Sequence, residues 1–207
     1  MEDHWIQGLA RAIAARPPRV VEVDPGVPAA SVALLVRHGG GGPELLLIRR
    51  AEREGDPWSG HMALPGGRSA PDDRDAEATA ARETREEVGI DVEHDGRRLG
   101  PLDVLAPLSD RAPRITVSPF VFAVPPDAEP VPNEEVAQAI WVPLAELAEP
   151  GATTEYLYEM GDGTVASFPA YGARGNVVWG LTHRILTSFL ELYATVDDAE
   201  QLHEGRG

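Results

Sequence analysis

The alternation of apolar and polar positions predicts helices and strands in mixed order. Ile6, Leu9, Ala10 and Ile13 recur at helical spacing between Trp5 and Ala15, and Pro17-Pro18 ends the run. This predicts a short amphipathic helix over residues 4–16. Ser31 to Arg37 and Glu44 to Arg50 are apolar runs joined by His38 and the glycines Gly39 to Gly42, the pattern of a hairpin. Turn formers then fill Glu52 to Gly67, including Asp56-Pro57-Trp58-Ser59-Gly60 and Leu64-Pro65-Gly66-Gly67. A loop of that length inside a compact domain is usually functional.

The strongest helical signal runs from Asp75 to Val88, with Asp72 and Asp73 as capping candidates and Gly89 as the stop. Ile115 to Val124 reads as a β-branched and aromatic strand, and Pro119 within it predicts an edge or a bulge. Ala139 to Val142 predicts a short strand entering a helix at Pro143 to Leu147. Thr154 to Met160 and Thr164 to Ala170 flank Gly161-Asp162-Gly163 as a second hairpin. A final helix is expected over Val177 to Tyr193, followed by a frayed tail over 197–207. The order is α+β rather than alternating βαβ.

Length narrows this picture to one domain spanning 1–207, with a core over about 30–193, since 207 residues suffice for a single sizeable core. Apolar residues make 43% and charged residues 25%, which excludes disordered and fibrous classes. Cysteine is absent, so disulfides, thiolate metal sites and cysteine nucleophiles are excluded together. Thirty-four acidic residues against 18 basic ones give a net charge of -16, which argues against a nucleic-acid polymer as partner. It leaves room for a small anion bridged by a divalent cation. The apolar runs fall well short of the ~20 residues that span a bilayer. The start, Met1-Glu2-Asp3-His4-Trp5, lacks the basic and apolar regions of a signal peptide, so a cytoplasmic location is expected.

Chemistry concentrates in Gly66-Gly67-Arg68 and in Ala81-Arg82-Glu83-Thr84-Arg85-Glu86-Glu87-Val88-Gly89-Ile90. On a helix, Glu83, Glu86 and Glu87 project from one face, and like charges so spaced repel unless something neutralises them. Mg²⁺ or Mn²⁺ would do so, because hard ions take oxygen ligands and a glycine turn can add a carbonyl. A solvated acidic face, with Arg82 and Glu86 as a surface pair, is the plainer alternative.

The whole string resembles the Nudix box: Gly, five residues, Glu, seven residues, then Arg-Glu-apolar-x-Glu-Glu-x-Gly-apolar. Asp73 stands at the first Glu position, the gap to Arg82 is one residue longer, and Thr84 replaces an apolar residue. That longer spacing, with Asp and with Thr79-Ala80 ahead of Arg82-Glu83, is similar to the coenzyme A pyrophosphatase-like subgroup. Leu46-Leu47-Ile48-Arg49-Arg50, Ile115 to Val121, Glu135-Val136 with Trp141-Val142-Pro143-Leu144, and Val178-Trp179-Gly180-Leu181-Thr182 resemble further stretches of it. In the loop, Gly60 aligns, while Trp58 and Asp56 stand where the subgroup has His and Arg, and one extra residue separates Arg50 from Pro65.

The resemblance implies a Nudix fold, an α/β/α sandwich around a mixed β-sheet, and a metal-dependent pyrophosphohydrolase. Glu83, Glu86 and Glu87, with the carbonyl of Gly67, would hold Mg²⁺ or Mn²⁺, and Arg82 would orient the glutamates. Glu134 and Glu135 precede the Trp141 strand, and Glu135 is favoured as a base or further ligand. At most one of Arg49 and Arg50 would face substrate phosphate, because strand neighbours alternate. Trp58 would stack on a base or serve as a packing anchor, and His61 would donate to phosphate or merely edge a strand. Trp141 and Trp179 are expected in the core, and His183 packed in its helix.

The implied substrate is coenzyme A or an acyl derivative, cleaved to 3′,5′-ADP and the 4′-phosphopantetheine product. Alternatives are ADP-ribose, dinucleotides or nucleoside triphosphates, and a non-catalytic nucleotide-binding module. The two terminal helices offer a face for a homodimer.

Overall fold

The computed structural model describes residues 4–20, 26–55, 58–107, 114–160 and 163–204, with side chains described up to Val196. The elements run α1 (His4–Ala15), β1 (Ala29–Gly39), β2 (Gly42–Arg50), β3 (Met62–Ala63), β4 (Gly66–Arg68), α2 (Ala76–Val88), β5 (Arg97–Pro101) and β6 (Thr116–Ala123). They continue with β7 (Val136–Pro143), α3 (Leu144–Ala148), a 3-10 turn (Pro150–Ala152), β8 (Thr153–Glu159), β9 (Val165–Ala173), β10 (Asn176–Trp179) and α4 (Gly180–Glu204).

A mixed sheet in the order β3-β2-β1-β6-β5 forms the centre, with β7 on the other edge of β2. Alternation along its strands feeds two cores. Leu34, Val36, Leu45, Leu47 and Val121 face one side, where α1, α3 and α4 contribute Leu9, Leu144, Leu186 and Phe189. Ala33, Leu35, Leu46, Ile48 and Phe122 face the other, under Ala80, Ala81 and Val88 of α2. This is the expected sandwich, and fully burying each large apolar side chain contributes roughly 2 kcal/mol. The two terminal helices pack on one another: Trp5, Leu9 and Ile13 of α1 join the core that contains Phe189 and Val196 of α4.

A fork in this sheet creates the site. β1 and β2 pair only from Val36 with Leu45 to Gly39 with Gly42. Below that point β4 pairs with Ala30 to Val32 of β1, and β3 with Ile48 and Arg49 of β2. Leu64 and Pro65 bridge the two short strands, so part of the predicted loop is built into the sheet. The predicted Asp56-Pro57 turn and the Gly161-Asp162 part of the second hairpin lie outside the described residues.

Three expectations need correction. Pro119 sits at neither an edge nor a bulge, because β6 is interior, parallel to β1 and antiparallel to β5. Its carbonyl accepts from Leu102 N–H at 2.9 Å, just past the end of β5, so its missing N–H falls where that ladder runs out. The final helix begins at Gly180, since Asn176 to Trp179 form β10 against β9. Its backbone continues to Glu204, through most of the segment expected to be a frayed tail. Among the described residues, no helix is long and apolar enough to cross a membrane.

Candidate active site

Asp75, rather than Asp72 or Asp73, caps α2, its carboxylate accepting Ala78 N–H at 2.8 Å. Gly89 closes the helix in the left-handed region, at φ 70°, donating to the Arg85 carbonyl. Between these caps, α2 buries Ala80, Ala81 and Val88 and turns Glu83 and Glu87 toward the glycines of the fork. Gly66 has φ 155°, and a Cβ there would strike the Ser31 carbonyl and Val32 of β1. At Gly67 a Cβ would overlap the Glu83 carboxylate. The paired glycines thus let two carboxylates lie against bare backbone.

Glu87 is 2% exposed, and one carboxylate oxygen accepts Gly66 N–H at 2.8 Å. Burial pushes its pKa up to about 7, aided by the charges of Glu83 and Glu135 and opposed by that hydrogen bond and by Arg50. Burial also raises Glu83, against the pull of Arg82. Arg82 uses its whole fork. Its Nε and Nη2 clasp Asp73 at 2.8 and 3.0 Å, Nη1 reaches Glu83 at 2.9 Å and Glu86 at 3.0 Å, and Nη2 also donates to the Arg68 carbonyl. Asp73, further held by Ala70 N–H and the Thr79 hydroxyl, is kept well below the usual carboxylate range, chiefly by Arg82. Its role as the anchor of Arg82 was missed in the sequence, where an Asp beside Asp72 ahead of a helix reads as a cap.

Glu135 enters from the chain before β7. Its carbonyl accepts Ala51 N–H, and its carboxylate pairs with Arg53 at 3.0 Å while acting electrostatically on Glu83 and Glu87. Arg53 carries no signal in the sequence, because charged loop residues have no periodicity. Arg49 is exposed, whereas Arg50 is half-buried and its charge reaches Glu87, so the alternation separates them as expected. Trp58 is half-buried and its carbonyl accepts His61 N–H at 3.2 Å. The His61 ring lies edge-on to Trp179 at 5.1 Å and to Tyr156 at 6.3 Å.

Neither expected core tryptophan is fully buried. Trp141 lies under the Arg37 guanidinium, 4.1 Å from its ring centroid. Trp179 is part-exposed, because β10 holds it over the small sheet among other rings. His183 packs 4.6 Å from Tyr171, and burial lowers its pKa.

Among the described residues no three acidic or histidine side chains converge as a ready cation site. Arg82 already bridges Glu83 and Glu86, and Gly66 holds Glu87. The donor set nonetheless fits a hard divalent ion: carboxylates on one helix face, and a glycine cradle whose missing Cβ admits the Glu83 carboxylate.

Comparison with known proteins agrees with this geometry. A model of the NUDIX domain matches residues 27–160. The mouse (Mus musculus) mitochondrial coenzyme A diphosphatase NUDT8 is 35% identical over 176 residues, 81% of this chain and 79% of that protein. An uncharacterized protein of Schizosaccharomyces pombe is 38% identical over 134 residues, 62% of this chain, and the match spans only 40% of that protein's length. A MutT/nudix family protein from Enterococcus faecalis shares the fold at TM-score 0.52 and 18% identity, over 83% of this chain and 64% of that one. By the family match, and with the glutamate face intact on α2, the chain belongs to the Nudix family and is a Nudix pyrophosphatase.

Proposed function

We propose that the chain hydrolyses the diphosphate linkage of coenzyme A or an acyl-coenzyme A, giving 3′,5′-ADP and the 4′-phosphopantetheine product. The carrying observation is the α2 face, where Glu83, Glu86 and Glu87 adjoin the glycine fork and Arg82. The substrate class is supported by the 35% identity to the mouse coenzyme A diphosphatase over most of both chains. Glu83, Glu86, Glu87 and the Gly67 carbonyl would hold Mg²⁺ or Mn²⁺. A bound divalent ion supplies polarisation of phosphoryl oxygens and acidification of water.

The residues divide the remaining work. Arg82, fixed by Asp73, orients Glu83 and Glu86, which would hold the divalent ion. Glu135 stands across from them as a proton acceptor or additional ligand. Arg50, whose charge acts on Glu87, attracts the substrate diphosphate, with Arg49 outside it and Trp58 and His61 along the loop. A soluble nucleotide is the expected partner, and a cytoplasmic location and a single domain over 1–207 are part of the same proposal.

A hydrolysis panel with Mg²⁺ and with Mn²⁺ tests it, using coenzyme A, acetyl-coenzyme A, ADP-ribose, NADH, diadenosine polyphosphates and nucleoside triphosphates, with products identified by mass. Preferential release of 3′,5′-ADP from the coenzyme A compounds is expected. Preference for another substrate would retain the pyrophosphatase and discard this specificity.

A further inference from the structure

The small sheet in the order β10-β9-β8 carries a feature that the glutamate site does not use. Tyr156 and Tyr158 of β8, Phe168 of β9 and Trp179 of β10 meet on one face. Register explains the meeting: Tyr156 lies opposite Phe168, while Tyr158 and Trp179 lie opposite Ala166 and Ala170, whose small side chains leave room for rings. Trp179 stacks on Tyr156 at 4.4 Å and 20°, with Tyr158 at 5.5 Å and Phe168 at 5.4 Å. A miniature core would bury these rings, yet all four are part-exposed, whereas Val178 and Ala170 beside them are fully buried.

We propose that this aromatic face is a base-binding platform, taking the purine ring of the nucleotide whose diphosphate is cleaved at Glu83, Glu86 and Glu87; the inference rests on the pyrophosphatase reading above. Two observations select a base. Glu155 and Glu159 alternate to the opposite face of β8, so among the described residues the strand positions of the ring face carry no formal charge, which suits a planar heterocycle and not a phosphate. The platform is also continuous with the glutamate site. The His61 ring abuts Trp179 and Tyr156, its carbonyl accepts Arg50 N–H at 3.1 Å, and the Arg50 charge acts on Glu87. A nucleotide therefore has its stacking surface and its diphosphate site on opposite sides of one short strand end.

Calorimetric titration of the full chain with AMP, ribose 5-phosphate and 4′-phosphopantetheine, in Mg²⁺, tests the assignment. Wild type is expected to bind AMP about tenfold more tightly than ribose 5-phosphate, the scale of one base stacked on an aromatic ring. Tyr156→Ala, on an edge strand, should erase most of that preference, and Tyr156→Phe should restore it, with circular dichroism unchanged in both. For whichever nucleotide the enzyme hydrolyses, Tyr156→Ala should raise KM about tenfold and leave kcat within about twofold.

Unaltered AMP binding by Tyr156→Ala would overturn the platform, as would a loss confined to 4′-phosphopantetheine. Failure of the enzyme to hydrolyse any nucleotide would instead sink the pyrophosphatase reading, and the AMP titration would still report on the platform.

Discussion

Glu87 is a carboxylate in a place that suits its neutral form. Its pKa of about 7 lies above the ordinary 4.5, so its contribution to stability is complete below about 4.5 and is lost as pH rises through 7. In the presence of EDTA, the thermal midpoint of wild type should fall between pH 5 and pH 8. Glu87→Gln should flatten that fall, the difference at pH 8 amounting to about 3 kcal/mol. Activity should respond in the opposite sense. Glu86→Gln and Glu87→Gln should each lower kcat on the order of a hundredfold with circular dichroism unchanged, because each removes a charged oxygen donor and leaves the core intact. Near-normal turnover in both variants would overturn the assignment of this face to the metal.

At the level of elements, the fork between β1 and β2 decides what the glycines tolerate. Gly66→Ala should be strongly destabilising, since its Cβ meets main-chain atoms of β1 that cannot move aside without breaking the β1–β4 ladder. Gly67→Ala meets only the Glu83 side chain, so it should fold and lose metal affinity, visible as a raised Mg²⁺ requirement in the hydrolysis assay.

Much of this level was legible in the sequence: α2 and its Gly89 stop, both hairpins, and the glutamate face follow from spacing and turn chemistry. What was not legible depends on tertiary pairing. Pro119 reads as an edge or bulge residue until the end of β5 is known, and Val177 to Trp179 read as helix because apolar spacing there is shared with α4. Asp73 reads as a cap until Arg82 is brought to it by the helix. The aromatic face had a period-two signal in Tyr156, Tyr158 and Phe168. Its meaning requires the register that sets Trp179 above Ala170.

Across the whole molecule, the acidic site is balanced without any added ion. Arg82 neutralises Glu83 and Glu86, Arg53 pairs with Glu135, and Glu87 tends toward its neutral form near pH 7. Treatment with EDTA should therefore abolish hydrolysis while leaving far-ultraviolet dichroism and cooperative thermal unfolding in place. Loss of both together would show that the ion is needed for the fold itself.

The parallel contact of β1 with β6 has a consequence for how the chain is made. Ala29 pairs with Thr116 and Val36 with Ala123, so the centre of the sheet joins segments far apart in the chain. On the ribosome, α2 and its glutamates emerge well before β6. Until then the apolar underside of α2 lacks Phe120 and Phe122, which complete its cover. The nascent chain must therefore carry an unfinished hydrophobic face from the completion of α2 until β6 emerges, and closure of the sheet waits on a late-arriving strand.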